Sequence, residues 1–276
     1  MGTSGSLLGA RRLRQLLDRH GVKPRKALGQ NFVVDPNTIR KIVNLSGAGI
    51  EDHVLEIGAG AGSLTLGLAA AAGRVIAVEF DHRMLAVLSE AVSDLTNVDI
   101  VEADALTLDL ASIEATKMVG NLPYNIATPL VLRTLERAPQ LAELTVMTQK
   151  EVGERLAAKP GAKSYGQASV LVRYFSEPKV VARISRQAFW PVPGVDSVVV
   201  RLSRRAGVLD VPFDRLSAVV KTAFSQRRKT LRNTLAPLSD STAGIEEVLR
   251  AAGINPGARA EEIDLDGFAA IAKALL

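Results

Sequence analysis

No cysteine occurs among the 276 residues. Disulfides, cysteine-type metal sites and thiol nucleophiles are therefore excluded, and a reducing compartment is the expected setting. No apolar run approaches the roughly 18 residues of a membrane-spanning helix; the longest, around Leu64 to Ala72, is short and alanine-rich. The opening MGTSGSLLGARRLRQ carries its positive charge after a weak apolar stretch, the reverse of a secretory signal. Gly2 and Ser6 fit an acylation pattern, but Gly/Ser-rich starts are common and lipidation is not expected. The three histidines, His20, His53 and His82, lack metal-ligand spacing and read as surface residues. Internal repeats and long low-complexity segments are also missing. What is there, 47% hydrophobic and 23% charged residues, is ample for a buried core. The reading is a soluble cytoplasmic protein, with a length prior just under two domains at about 150 residues each.

The net charge of +5 says little, whereas its distribution says more. Residues 1–30 carry +6 and residues 201–232 carry +7, while 31–200 and 233–276 each carry −4. Two basic segments flanking a mildly acidic body suit a polyanionic partner. A solvated helix face plus a basic tail fits the same counts.

Asp35-Pro36 is a helix start, with Asp as cap and Pro in the first position; Ile39, Ile42 and Val43 form its apolar face, and Gly47 or Gly49 ends it. Short apolar strands then alternate with helices: strands at 54–57, 75–78, 98–101, 117–120 and 144–147, helices at 63–72, 84–92 and 130–135. Val198 to Leu202 reads as a late strand. Nearly unbroken apolar strands between helices predict a parallel sheet covered on both faces. Beyond residue 206 only helical spacing remains, at 216–224, 245–252 and 268–275. The fold expected is α/β: a Rossmann-like sheet over 23–205 with a small all-helical domain over 206–276. Residues 1–22 form a basic arm whose order the sequence does not fix, with Leu13, Leu16 and Leu17 at helical spacing.

Gly58-Ala59-Gly60-Ala61-Gly62 follows a buried strand and opens a helix, where glycine permits a tight turn and close approach of a ligand. Ser63 stands where the dinucleotide pattern needs its third glycine, so Gly58 and Gly60 suit a nucleoside ligand without a pyrophosphate. Glu79 ends the next strand and can accept both ribose hydroxyls. Asp104 follows the third and can accept from an adenine amino group. Either acid alone reads as a surface residue, but successive strand ends converge on the ligand edge of such sheets. The arrangement resembles class I S-adenosylmethionine-dependent methyltransferases, which implies that cofactor.

The fourth strand runs into Asn121-Leu122-Pro123-Tyr124. A ring amino nitrogen of adenine or cytosine is a poor nucleophile because its lone pair is delocalised. Acceptors on its two N–H groups, here the Asn121 side chain and the Leu122 carbonyl, favour a pyramidal nitrogen. Pro123 fixes the turn and Tyr124 can stack on an extruded base. Methyl transfer from a sulfonium then needs positioning rather than a metal.

N-L-P-Y, with Leu28-Gly29-Gln30-Asn31-Phe32-Val33-Val34-Asp35, Tyr165 to Ser169, Phe189 to Ser197 and Phe224 to Asn233, resembles the ribosomal RNA adenine N6,N6-dimethyltransferases of the KsgA type. The match runs in order from about residue 23 to the C-terminus. It implies cofactor contacts from Asn31 and Val33, the latter standing where leucine is usual, with Asn121 at the junction of cofactor and base. It also implies Phe189 stacking opposite Tyr124, although Phe189 reads equally as a core aromatic, as does Trp190. Lys221, Arg228 and Arg232 fall on one face of a helix and Phe224, Leu231 and Leu235 on another. With Arg227 and Lys229 they form a phosphate-binding surface that positions RNA without reading sequence.

The resemblance thus implies dimethylation of adenosines, two adjacent ones in a terminal hairpin loop, of small-subunit ribosomal RNA in a subunit precursor. A monomer away from membranes and free of metal is expected. Three alternatives stand beside it: a large-subunit enzyme of the macrolide-resistance type, a non-catalytic RNA-binding assembly factor, and a nicotinamide dehydrogenase. The last is disfavoured by Ser63 and the first by the F-x-x-R-R-K-T-L-R-N run; the intact Asn121–Tyr124 motif argues against the second.

Overall fold

The structure is a computed structural model that describes residues 7–25, 28–207, 209–239 and 242–275, without the side chains of Tyr124 and Thr242. These residues fall into two compact units: one within Met1–Gly153 and Lys179–Arg204, the other within Glu154–Pro178 and Arg205–Leu276.

The first unit opens with helix α1 (Ala10–Arg19), whose Leu13, Leu16 and Leu17 are buried. The two-residue strand β1 (Phe32–Val33) leads to α2 (Pro36–Ser46). Asp35 caps α2 by accepting from the Asn37 and Thr38 amides, and Gly47 closes it at φ 57°, as its sequence requires. Then come β2 (His53–Ile57), α3 (Ser63–Ala69), β3 (Arg74–Glu79), α4 (His82–Val92) and β4 (Val98–Glu102). They are followed by β5 (Lys117–Asn121), α5 (Tyr124–Arg137), β6 (Glu143–Gln149) and α6 (Lys150–Ala157). After α7 (Gln167–Phe175) come β7 (Ser176–Ile184), β8 (Phe189–Trp190) and β9 (Ser197–Arg204).

Seven strands form one sheet in the order β4-β3-β2-β5-β6-β9-β7, and β1 pairs with β8 in a separate ribbon. Neighbours from β4 to β6 are parallel, and β9 runs antiparallel to β6. The parallel part is the predicted covered sheet: Val54, Leu55, Val75, Ala77, Met118, Val119, Leu144 and Val146 are wholly enclosed. The chain reverses its direction of travel across the sheet at β2, between β3 and β5. In such sheets ligands bind at the carboxyl edge beside that switch point, which is where the ends of β2, β3 and β5 lie.

The second unit is helical: α7, α8 (Phe213–Ala223), α9 (Leu231–Thr234), α10 (Thr242–Ala251) and α11 (Leu265–Ala274). Tyr165, Phe224 and Phe268 pack at ring separations of 6.1 and 5.9 Å, and the buried Tyr165 hydroxyl donates to the Ile263 carbonyl at 2.7 Å.

Two expectations need correction. The boundary at 205/206 misses the segment Glu154–Pro178, which belongs with the helical unit because Tyr165 and its neighbours pack against residues a hundred positions later. The helical spacing in the basic arm 1–22 is matched by a helix over Ala10–Arg19, held by its three buried leucines; residues 1–6 lie outside the described ones. Finally, the helix read through 221–235 is broken. α8 stops at Ala223 and α9 starts at Leu231, because the Leu231 and Arg232 amides donate to the Ala258 and Pro256 carbonyls instead.

Candidate active site

At the carboxyl edge of β2 the chain turns through Gly58, Gly60 and Gly62, all at positive φ (77°, 57° and 85°). Only glycine holds such a run cheaply. The turn is tied to the next strand: Gly58 and Ala59 amides donate to the Val78 carbonyl, and the Gly60 amide donates to Glu79 Oε2 at 2.7 Å. Glu79 Oε1 accepts from the Phe80 and Asp81 amides at 2.9 and 2.8 Å. Burial pushes the Glu79 carboxyl up, against the pull of those three amides. Oε1 is thereby filled, whereas Oε2, which accepts only from Gly60, keeps a free lone pair. Beneath the turn Glu56, on β2, is enclosed; burial pushes its carboxyl up to about 8, and the nearby Glu79 charge adds to the shift.

These residues open on a cavity of about 240 Å³. Its walls bring together Asn31, Gly58, Gly60, Glu79, Asp104, Asn121, Leu122 and Pro123, eight of the positions singled out from sequence. Ile57, Phe80, Ala105 and Leu106 supply apolar wall. Its charged lining is Glu79, Asp81 and Asp104, with no lysine, arginine or histidine among the described lining residues. Asp104 Oδ1 accepts from the Leu106 amide at 2.9 Å, shaping the loop after β4. Asp81 is pushed up by burial, but the hydrogen bonds from Arg83 and Gln30 outweigh that and hold it below the usual range.

The segment 28–31 crosses this edge. Gly29, at φ 64°, lies so close to Pro123 that a Cβ there would sit 3.0 Å from the proline Cβ. Gln30 Nε2 donates to Asp81, and Asn121 Nδ2 donates to the Asn31 carbonyl at 2.9 Å. That bond fixes the orientation of the Asn121 amide, since only its nitrogen can donate. Its Oδ1 therefore faces away from Asn31, and no described residue donates to it or to the Leu122 carbonyl. Leu122 is held by its own amide, which donates to the Met147 carbonyl at 2.8 Å.

A second cavity, of about 310 Å³, shares Gly29, Gln30, Asn31, Asn121, Leu122 and Pro123 with the first. Phe189, Pro191, Val192 and Pro193 wall its other side, with Thr148, Gln149 and Ser197. Phe189 is 3% exposed and paired through β8 with Val33, so it is both a core aromatic and part of a cavity wall. Val33 itself lines neither cavity; Phe32, its neighbour, lines the first. The Tyr124 backbone opens α5, while its ring lies outside the described side chains.

In the helical unit Lys221, Arg227, Arg228, Lys229 and Arg232 are exposed, but they are not equivalent. Arg227 donates to the Lys163 carbonyl and lies 3.7 Å from Glu261; Arg232 lies 3.4 Å from Glu246. Lys221, Arg228 and Lys229 have no partner among the described residues. His20 pairs with Glu90 at 2.6 Å and His82 with Glu102 at 2.9 Å, and no group of three metal-ligating side chains occurs among the described residues. No described helix is long and apolar enough to cross a membrane.

Sequence reasoning missed Phe80, Gln30 and Phe32 as cavity walls. A lone aromatic after an acid carries no pattern, although Phe80, at 61% exposure, is the kind of surface aromatic that a ligand covers.

Residues 21–275 match the family model for ribosomal RNA adenine dimethylase. The chain belongs to that family. It is an enzyme, and its class transfers methyl groups to adenine in ribosomal RNA. A relative from Kineococcus radiotolerans, ribosomal RNA small subunit methyltransferase A, is 45% identical over 97% of this chain and 91% of its own length. Among solved structures, a dimethyladenosine transferase from Plasmodium falciparum superposes with a TM-score of 0.76 at 26% identity, covering 86% of this chain and 94% of its own. The 23S rRNA methyltransferase ErmE superposes with a TM-score of 0.71 at 29% identity, covering 89% and 99%.

Proposed function

We propose that this protein transfers methyl groups from S-adenosylmethionine to the N6 nitrogen of adenosines, twice per nitrogen, in small-subunit ribosomal RNA of a subunit precursor. Two adjacent adenosines of a terminal hairpin loop are the target, and the enzyme works as a cytoplasmic monomer. The observation that carries the chemistry is the pair of open acceptors, Asn121 Oδ1 and the Leu122 carbonyl, on the wall shared by the two cavities.

The first cavity fits this cofactor by charge and shape. Glu79 and Asp104, on a wall whose described residues carry no cation, suit a ligand bearing sulfonium and ammonium groups, and together with Asp81, which Arg83 pairs, they oppose a pyrophosphate. That is the physical argument against a nicotinamide dinucleotide. Glu79 accepts from a ribose hydroxyl at Oε2, Asp104 from the adenine amine, and the glycine turn admits the ligand close to its backbone, with Asn31 on the opposite wall. When bound, the cofactor supplies an electrophilic methyl group on sulfur.

The second cavity takes the target base, with Phe189 and the Tyr124 ring as stacking surfaces. For the first transfer Asn121 and Leu122 accept from the two N6 hydrogens, and for the second one of them accepts from the single hydrogen that remains; each time the nitrogen becomes pyramidal, its lone pair points through the shared wall, and one N6 proton is released as the N–C bond forms. Held there, the base needs no covalent help, and alignment supplies the rate. Lys221, Arg228 and Lys229 grip phosphates, with Arg227 and Arg232 buttressing their loop.

Asn121→Ala tests the reading. With labelled cofactor and under-methylated small subunits, followed by nucleoside analysis, the native protein yields N6,N6-dimethyladenosine. The variant loses at least a hundredfold in turnover, in line with loss of one positioned transition-state contact, while S-adenosylhomocysteine still raises its melting temperature. Near-normal turnover removes Asn121 from the chemistry. Product on large but not small subunits reassigns the substrate to 23S rRNA, the substrate of ErmE.

A further inference from the structure

The two open acceptors on the shared wall explain how an amine is held, but not how adenine is told from other bases that carry one. Adenine presents an amine and ring nitrogens with lone pairs, so a site built to read it needs a donor as well. The side-chain amides of the second cavity, with the Thr148 hydroxyl, can be taken in turn. Asn31 Nδ2 is committed to the Gly29 carbonyl. Gln30 is engaged at both ends, accepting from the Arg25 amide and donating to Asp81. Asn121 Nδ2 is committed to Asn31. The Thr148 hydroxyl is buried without a partner and is not exposed to the cavity. Gln149 is half-buried, lines the cavity, and has no hydrogen-bond partner for either end of its amide among the described residues.

Its place in the sheet is as telling. β5 and β6 are parallel neighbours with Asn121 opposite Met147. Gln149 lies two residues further along β6, about 7 Å at the usual strand rise, which is close to the long dimension of a purine. Across from it β9 contributes Ser197, its Cα partner, and Gly153 of α6 packs so closely on β9 that a Cβ there would sit 2.3 Å from the Val198 side chain. The carboxyl end of β6 is therefore a tightly packed ledge carrying one uncommitted amide, facing the same cavity as the amine acceptors.

We infer that Gln149 is a specificity-determining residue, its Nε2 donating to a ring nitrogen of the extruded adenine whose N6 is held by Asn121 and Leu122. The inference rests on the proposed adenine-N6 reading and adds the element that chooses the base. The acceptors reject guanine and uracil, whose oxygens would face them. The Gln149 donor, a purine's length from the amine acceptors, accounts for the ring by meeting N3 or N7, which have no counterpart in cytosine, and a carbon in place of the contacted nitrogen leaves the amide unpaired.

The test uses small subunits reconstituted with ribosomal RNA in which splinted ligation places 1-deaza-, 3-deaza- or 7-deazaadenosine at the target positions. The enzyme is the full chain, native or Gln149→Met, a near-isostere without hydrogen-bonding ends. With the native chain the 3-deaza or the 7-deaza substitution lowers kcat/KM by about tenfold to a hundredfold, the value of one good base contact; a penalty for 1-deazaadenosine alone overturns the base-choosing role. Gln149→Met lowers kcat/KM on ordinary adenosine by a similar factor, and the same 3-deaza or 7-deaza substitution then costs it nothing further. Its response to S-adenosylhomocysteine stays that of the native chain, which excludes misfolding as the cause. Equal deaza penalties in both proteins, or native-like turnover of Gln149→Met, overturn the inference. Failure of the native chain to make dimethyladenosine on ordinary subunits overturns the underlying reading instead, so the two failures are told apart.

Discussion

Gly60 is the tightest point of the glycine turn. Its φ of 57° is left-handed, and a Cβ would sit 2.9 Å from the Phe32 ring. Left-handed backbone costs an alanine about 1–2 kcal/mol, and Phe32 is held by β1, so the ring has little room to yield. Gly60→Ala therefore melts a few degrees lower than the native chain and loses the stabilisation that S-adenosylhomocysteine gives, because the turn moves and takes the Glu79 contact with it. A thermal shift series with and without that ligand reads both. Glu56 gives a second residue-scale prediction. Enclosure holds its carboxyl neutral up to about pH 8 in the folded protein, whereas in the unfolded chain it ionises near 4.5, its ordinary value. Between these values the unfolded state has released a proton that the folded state keeps, so stability is fullest below about 4.5 and falls as pH rises toward 8. The loss is on the order of a few kcal/mol. Buried Glu79 shifts the same way. Glu56→Gln cannot ionise, so denaturant midpoints across this window fall more steeply for the native chain than for the variant.

At the scale of elements, α1 lies before the family match, which starts at residue 21, yet it is part of the first unit's core. Leu13, Leu16 and Leu17 are at most 2% exposed, and Arg14 stands 5.3 Å over the Trp190 ring, whose neighbours Phe189 and Pro191 wall the base cavity. Leu16→Ala is expected to cost about 2–4 kcal/mol, read as a lower denaturant midpoint; an untethered arm would give no change. The leucine spacing was legible in the sequence, and so were the parallel strands, because each is a short apolar run that only a doubly covered sheet can bury. The strand-end residues Gly58, Glu79, Asp104 and Asn121 followed from the same topology, since consecutive parallel strands deliver their ends to one edge. What periodicity does not carry is long-range pairing. Phe224, Leu231 and Leu235 keep helical spacing straight through a break that exists only because Leu231 bonds to Ala258. Tyr165 belongs with the helical unit through Ile263, 98 residues away. Val33 against Phe32 is a similar case: a two-residue strand has no period from which to tell which side chain meets the cavity.

Across the whole molecule, the charge excess sits in two stretches of sequence, but the structure sorts those charges into used and unused. Arg19 is paired with Glu90, Arg227 with Glu261 and Arg232 with Glu246, so a count of cations overstates what remains for phosphates. In the loop between α8 and α9, Arg228 and Lys229 are exposed and have no acid partner among the described residues, while Arg227 next to them secures the loop by donating to the Lys163 carbonyl. Released counterions set the salt dependence of RNA binding at roughly 0.7–0.9 per phosphate contact in log–log slope. Removing two contacts with Arg228→Ala and Lys229→Ala together should flatten that slope by about 1.4–1.8 and leave the melting temperature unchanged. Arg227→Ala should do the opposite: it lowers the melting temperature, because a carbonyl partner is lost and Glu261 left unpaired, and changes the slope less. Titrating labelled ribosomal RNA against each variant from low to physiological salt separates the two. If Arg227 flattens the slope as much as its neighbours, its bonds within the protein yield to RNA on binding, and the division between gripping and buttressing cations fails.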